Sequence, residues 1–220
     1  TYGESIKRSK KLANALKKLG VNVHDRVATI AWNNSRHFET YFAVSGMGAI
    51  LHTLNPRYSP EQLIYILNHA EDSVLIVDPT FIPLVESVQD KLDTVETIII
   101  ASAKDSIPEN NLKNVFSYEE LLKDELDEYN WPQLNENDAA SLCYTSGTTG
   151  NPKGVLYSHR STVLHAISIA GTMGFESSSS VLPVVPMFHV NAWGVPYSAL
   201  ISGFTLVLPG HALDGESLYE

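Results

Sequence analysis

Cysteine is almost missing. Cys143 is the only one in 220 residues, so no disulfide can close within the chain. That suits a reducing compartment, and a cytoplasmic location is expected. Basic residues are also few: 15 Lys and Arg stand against 25 Asp and Glu, a formal charge of −10. Phosphate backbones want basic surfaces, so the balance argues against a general nucleic-acid binder. The opening TYGESIKRSKK is polar, lacks an apolar h-region and starts on Thr1 rather than Met. No signal peptide is expected, and the start reads as a boundary within a longer chain. The most apolar passage, VLPVVPMFHVNAWGVPYSALI (181–201), contains three prolines, a His and an Asn. These argue against a membrane span and for a buried strand–loop–helix passage. Eight His residues come without an HExxH or a Cys/His cluster, so no zinc-type site is read from them. No internal repeat stands out, and SSSS (177–180) reads as a loop.

What is present is an ordinary globular composition, 44% hydrophobic and 18% charged, long enough for one large domain or two small ones. Thr1 and Glu4 fit a capping box, and Ile6, Leu12, Ala13, Leu16 and Leu19 recur at helical spacing until Gly20. A strand is expected at Val27–Trp32, a helix capped by Ser35 through Phe38, Phe42 and Met47, and a strand at AILHTL (49–54). Ser59, Pro60 and Gln62 predict the next helix start. SVLIVD (73–78) reads as a strand covered on both faces. A helix near Ile82–Leu92 and the strand VETIIIA (95–101) follow. Strand and helix alternate with short links, which predicts an α/β fold with a mostly parallel sheet flanked by helices. Residues 102–137 break the rhythm, being acidic and Asn-rich with one short helix around Tyr118–Lys123. EELLKDELDE there reads as a solvated face rather than a partner-binding tail. A boundary is expected here, dividing a first α/β segment, 1–137, from a second, 138–220. Beyond it, ASLCYT (140–145) and GVLYSH (154–159) read as strands and 159–174 as a helix.

Between those last two strands lies YTSGTTGNPKG (144–154). Glycines let backbone N–H groups approach an anion, hydroxyls add donors or Mg2+ ligands, and Lys153 adds a mobile charge behind the stiff Pro152. The rival reading is a surface linker. A single cation, no repetition and flanking apolar strands weigh toward phosphate, but chemistry alone leaves both readings open. It is not a Walker A loop: Gly147 and Gly150 are too close together, and two residues separate Gly150 from Lys153.

YTSGTTGNPKG resembles the phosphate loop of the AMP-forming acyl-activating enzymes, which include acyl-CoA synthetases, coumarate–CoA ligases, luciferases and peptide-synthetase adenylation domains. PMFHVNAW (186–193) resembles the family's next core motif, most closely in long- and medium-chain fatty acyl-CoA synthetases. GMGAILHTLNPR (46–57) resembles the segment before both. The three occur in the family's order, and the resemblance covers essentially the whole chain. It implies part of the large N-terminal domain of the acyl-activating fold, and a two-step reaction. A carboxylate attacks the α-phosphate of ATP to give acyl-adenylate and pyrophosphate, and coenzyme A then takes the acyl group.

By resemblance, Thr145, Ser146, Gly147, Thr148, Thr149, Gly150 and Lys153 surround the ATP phosphates, with Thr145 a ligand to Mg2+. His189, with Val190 beside it, lines the junction of acyl carboxylate and α-phosphate. It would orient the carboxylate rather than act as a base, since a carboxylate needs no deprotonation at pH 7. On residue type alone His189 would be a satisfied core histidine, and Trp193 a core aromatic. The resemblance makes Trp193 a gate to the fatty-acid tunnel. His159 and Arg160 read as a helix start with anion contact as the rival, and Cys143 as a small buried residue. A homodimer through the N-terminal segments and peripheral membrane contact are both compatible with the resemblance.

The family's Gly-Tyr-Gly-x-Thr-Glu segment, the later Asp for the ribose, the hinge and the C-terminal domain with its catalytic Lys have no counterpart here. The expected protein is therefore a fragment of an ATP-dependent fatty acid–CoA ligase. Sibling readings are an aryl–CoA ligase, an amino-acid adenylation enzyme and a non-catalytic nucleotide-binding module; an interaction protein built on 102–137 has only composition behind it. The purified 220-residue chain is expected to form no acyl-CoA from acid, ATP and CoA. Detecting the thioester by chromatography would refute this.

Overall fold

Local sequence rules set most of the element boundaries. Thr1 and Glu4 close a reciprocal capping box on helix α1 (Tyr2–Lys18). Its buried stripe is Leu12, Ala13 and Leu16, and Gly20, with φ +93°, turns the chain into the first strand. Strand β1 (Arg26–Ile30), helix α2 (Ser35–Gly46) and strand β2 (Ile50–Thr53) follow. The cap of α2 is Asn34, whose side chain accepts from the His37 amide; Ser35, the expected cap, is the first helical residue. Ser59, Pro60 and Gln62 start helix α3 (Pro60–Ala70) as expected. Strand β3 (Asp72–Val77) comes next.

The helix expected over 82–92 is not continuous. Helix α4 (Ile82–Glu86) is flanked by 3₁₀ turns at Pro79–Phe81 and Gln89–Lys91. The buried residues of this stretch, Ile82, Val85 and Val88, repeat every three positions, which suits successive tight turns. Strand β4 (Thr97–Ile100) is followed by strand β5 (Val115–Ser117), which the sequence reading did not anticipate, and helix α5 (Tyr118–Lys123). Strands β6 (Ala139–Thr145) and β7 (Lys153–Ser158), helix α6 (His159–Met173), strand β8 (Ser180–Val181), helix α7 (Val195–Ser202), strand β9 (Thr205–Leu206) and helix α8 (Gly215–Tyr219) complete the order. The computed structural model describes residues 1–145 and 150–219.

The main sheet runs β5-β4-β3-β1-β2-β6-β7. Every neighbouring pair is parallel except β6–β7, which is an antiparallel hairpin. β6 lies beyond residue 137 and still pairs with β2, Thr53 opposite Cys143. Strand side chains alternate between faces, so the sheet carries two cores. Val27, Leu51, Val74 and Ile99 pack with α1 and α2 on one face. Ala28, Leu75 and Ile98 pack with α3 on the other. Beyond the first core, Glu39 is nearly fully buried and receives Arg8 Nε and the Tyr118 hydroxyl, each at 2.8 Å. Arg8 and Arg36 both reach Glu119, so one carboxylate cluster joins α1, α2 and α5. No helix of the described residues is long and apolar enough to cross a membrane.

His37 is buried under α2. Its Nδ1–H donates to the Trp32 carbonyl at 3.1 Å and Nε2 accepts from the Thr29 hydroxyl at 3.0 Å. Burial depresses its pKa from the usual 6.5 to about 4, against the opposing pull of the Trp32 carbonyl. The unfolded chain therefore binds more protons between those values, and stability must fall as pH drops from about 6.5 through about 4. Asp72 and Glu39, both raised by burial, work in the opposite direction. Urea unfolding across that range should show a His37-dependent loss of stability that His37→Gln removes. An identical pH slope in the variant would refute the assignment.

Candidate active site

In open α/β sheets, ligands collect at the carboxyl ends of the parallel strands. Here β2 and β6 end side by side, at Thr53 and Thr145. β6 turns into the glycine-rich motif and returns as β7, which sets Thr145 directly opposite Lys153. Both side chains are exposed, and the Thr145 hydroxyl lies 3.5 Å from the Lys153 carbonyl. Gly150, φ +102°, sits at the same mouth, next to the buried Pro152. Ser146, Gly147, Thr148 and Thr149 lie outside the described residues.

The strand end that feeds the motif is held firmly. Tyr58 donates its hydroxyl to the Tyr144 carbonyl at 3.0 Å, and the Tyr144 hydroxyl lies 2.6 Å from His69 Nδ1. Burial pushes the Tyr144 phenol up to about 12. The Tyr144 ring lies across the hairpin over Gly154, its cross-strand partner; a Cβ there would meet the ring at 3.2 Å. On this face of the sheet His52 and Asp72 form a fully buried pair at 2.7 Å beside the Tyr144 ring.

The opposite face carries the second motif. Asn33, in the turn after β1, accepts the Met187 amide at 2.6 Å and donates to the Pro183 carbonyl at 3.0 Å. Tyr41 donates to the Met187 carbonyl. His189 is exposed, its amide bonded to the Pro186 carbonyl at 2.9 Å. After it Val190, Asn191, Ala192 and Trp193 all have φ between +47° and +54°, and Gly194 has φ +74°. This is one turn of left-handed helix. Each non-glycine residue there costs roughly 1–2 kcal/mol, so neighbouring contacts must hold the turn. Asn191 is buried against β2 and β6. Its Nδ2 donates to Ser141 Oγ at 2.8 Å, and its Oδ1 accepts from the Thr53 hydroxyl at 3.2 Å. The Cys143 thiol, raised by burial, is 3.6 Å from the same oxygen. His165 Nε2 lies 3.0 Å from the Trp193 carbonyl, and its ring packs where Gly194 would carry a Cβ, 2.9 Å away.

Between this turn and α6 lies a cavity of about 370 Å3 lined by Tyr157, Ser161, His165, Val190, Gly194 and Tyr197, among others. Its lining is mostly apolar with a few polar groups, the usual make-up of a small-molecule site. Of the expected site residues, Val190 lines it. Trp193 is 57% exposed and, like His189, is not among its lining residues. Arg160 is not a free cation, since it pairs with Glu136 at 2.7 Å, and Ser158 caps α6. His159 is half-buried and its pKa is lowered by burial.

Asn191, His165, Ser141 and Thr53 were not singled out from sequence. One sign was readable: Ser161, Thr162 and His165 form a polar strip on a helix whose Val163, Leu164 and Ile167 are exposed, the reverse of an ordinary surface helix. No group of three or more His, Cys, Asp or Glu that could hold a metal exists among the described residues.

Known proteins resemble the chain along nearly its whole length. A medium-chain-fatty-acid–CoA ligase of Ectopseudomonas oleovorans is 53% identical over 96% of this chain and 39% of its own length. A 3-methylmercaptopropionyl-CoA ligase of Ruegeria lacuscaerulensis is 49% identical over 99% of this chain and 41% of its own. The chain thus spans about two fifths of the relatives it matches. The crystal structure of the anthranilate CoA ligase AuaEII in complex with anthranoyl-AMP superposes with a TM-score of 0.81 at 26% identity, over 96% of this chain and 40% of that one. A family model described as AMP-binding enzyme matches residues 1–220, and the chain belongs to that family.

Proposed function

We propose that the protein of which these residues are part activates an aliphatic carboxylic acid with ATP, forming an acyl-adenylate and pyrophosphate, and then transfers the acyl group to coenzyme A. The observation that carries this reading is the pairing of Thr145 with Lys153 at the mouth of a hairpin whose neighbouring strand end, at Thr53, anchors the turn that walls the cavity. Pyrophosphate departs with added negative charge, and a cation fixed at the strand end stabilises that charge. Lys153 takes this role. Thr145, Gly150 and the intervening residues 146–149 supply hydroxyls and amides for the phosphates. Mg2+ accompanies ATP, and the resemblance makes the Thr145 hydroxyl, an oxygen donor of the kind Mg2+ takes, its protein ligand. The metal supplies charge neutralisation on the phosphates when bound.

His189 and Val190 stand just before and at the start of the left-handed turn, and the resemblance puts the meeting of carboxylate and α-phosphate beside them. The carboxylate is already ionised at neutral pH, so His189 orients it and removes no proton. The acyl group lies in the cavity, with Trp193 as the residue at its approach. At about 370 Å3 the space falls within the range of ligand sites, roughly 300–1,000 Å3. A homodimer and a cytoplasmic location accord with this reading, as does a division of the chain near residue 137.

Acid-dependent ATP–pyrophosphate exchange by the full-length parent tests the reading. Exchange should be strongest with aliphatic acids, and the acid series gives the preferred chain length. Exchange confined to aryl or amino acids would keep adenylation and overturn the aliphatic substrate; none with any acid, despite ATP binding, would leave a nucleotide-binding module. Lys153→Ala should lower the exchange rate by roughly 10²-fold or more without unfolding the protein. A rate within a few-fold of the unsubstituted enzyme would remove Lys153 from the phosphate site.

A further inference from the structure

We propose that Asn191 is a specificity-determining positioning residue: it pins the left-handed turn to the sheet and so fixes the width of the acyl cavity. This rests on the acyl-activation reading above.

The support is geometric. Thr53, Ser141 and Cys143 share one face of the β2–β6 pair, in a region where parallel strands ordinarily carry apolar side chains. All three are buried, and their polar atoms converge on the Asn191 side chain. Without Asn191 the Ser141 hydroxyl would lose its side-chain partner in a sealed environment, which buried polar groups rarely tolerate. The residues the anchor holds are those that wall the cavity. Val190, Asn191 itself and Gly194 all line the cavity, and His165 lines it while reaching the Trp193 carbonyl. Ser141 does not line it, so Ser141→Ala cuts the anchor without altering the wall's own surface. Asn also accepts left-handed backbone more readily than most residues. One side chain thus joins the strand ends to the cavity wall, and its hydrogen bonds decide how far the wall stands from α6. Asn191 itself needs no part in the chemistry.

The test uses the full-length parent and three variants: Ser141→Ala, which deletes the acceptor; Asn191→Gly, which keeps the left-handed freedom and deletes the anchor; and the double variant. KM for ATP and for a series of aliphatic acids is measured for each. KM for the preferred acid should rise about tenfold, the scale of one lost hydrogen bond, with KM for ATP changed less than about twofold. The preference among acids differing by two carbons should flatten, and the double variant should be no worse than the poorer single one, because both lesions cut the same contact. Should Asn191→Gly not fold, Ser141→Ala carries the test alone. An unchanged acid preference, or acid and ATP KM values rising together, overturns the inference. Failure of the unsubstituted enzyme to respond to any aliphatic acid overturns the underlying reading instead, and shows before any variant is made.

Discussion

The double pairing of β6 is the constraint from which the rest of the site follows. On one side β6 runs parallel to β2; on the other it folds back against β7. The first pairing brings the ends of two strands distant in sequence together, and the second sets Thr145 opposite Lys153. Because strand side chains alternate, the same two strands send His52, Leu142 and Tyr144 to one face and Thr53, Ser141 and Cys143 to the other. A shift of one residue in the β2–β6 register would exchange the two sets. The Tyr144 clamp on the strand that leads into the glycine-rich motif and the Asn191 anchor of the cavity wall would be lost together.

Two sets of polar contacts therefore sit back to back across one sheet. Below the sheet, the His52–Asp72 pair and the Tyr144–His69 contact fix where the glycine-rich segment begins. Above it, Asn191 fixes where the left-handed turn sits. Burying so many polar groups is unfavourable unless their partners are met. Most are met here by side chains from elements far apart in sequence, which ties the geometry of the site to the completion of the whole sheet.

How much of this could be read from the sequence depended on the range of the interaction. Both capping boxes lie within four residues and were legible, as were the alternation of strand and helix and the two strands flanking YTSGTTGNPKG; that these two pair as an antiparallel hairpin was not. Strand β5 was not, because three residues at a sheet edge give no period to detect. The broken helix at 82–91 was missed because its three-residue spacing resembles a helical stripe. The motif PMFHVNAW drew attention to His189 and Trp193, yet Asn191 emerged only from contacts to Ser141 and Thr53, 50 and 138 residues away. Nothing local marks four successive left-handed residues. They exist because distant side chains hold them.

β7 carries one more consequence. It is the last strand of the sheet among the described residues, and its Val155 and Leu156 are exposed, as are Val163, Leu164 and Ile167 of α6. A free strand edge next to an apolar face is a template for another chain. In dilute solution that surface meets only water; at high concentration it meets its own copies. The isolated 220 residues would therefore be handled best at low concentration.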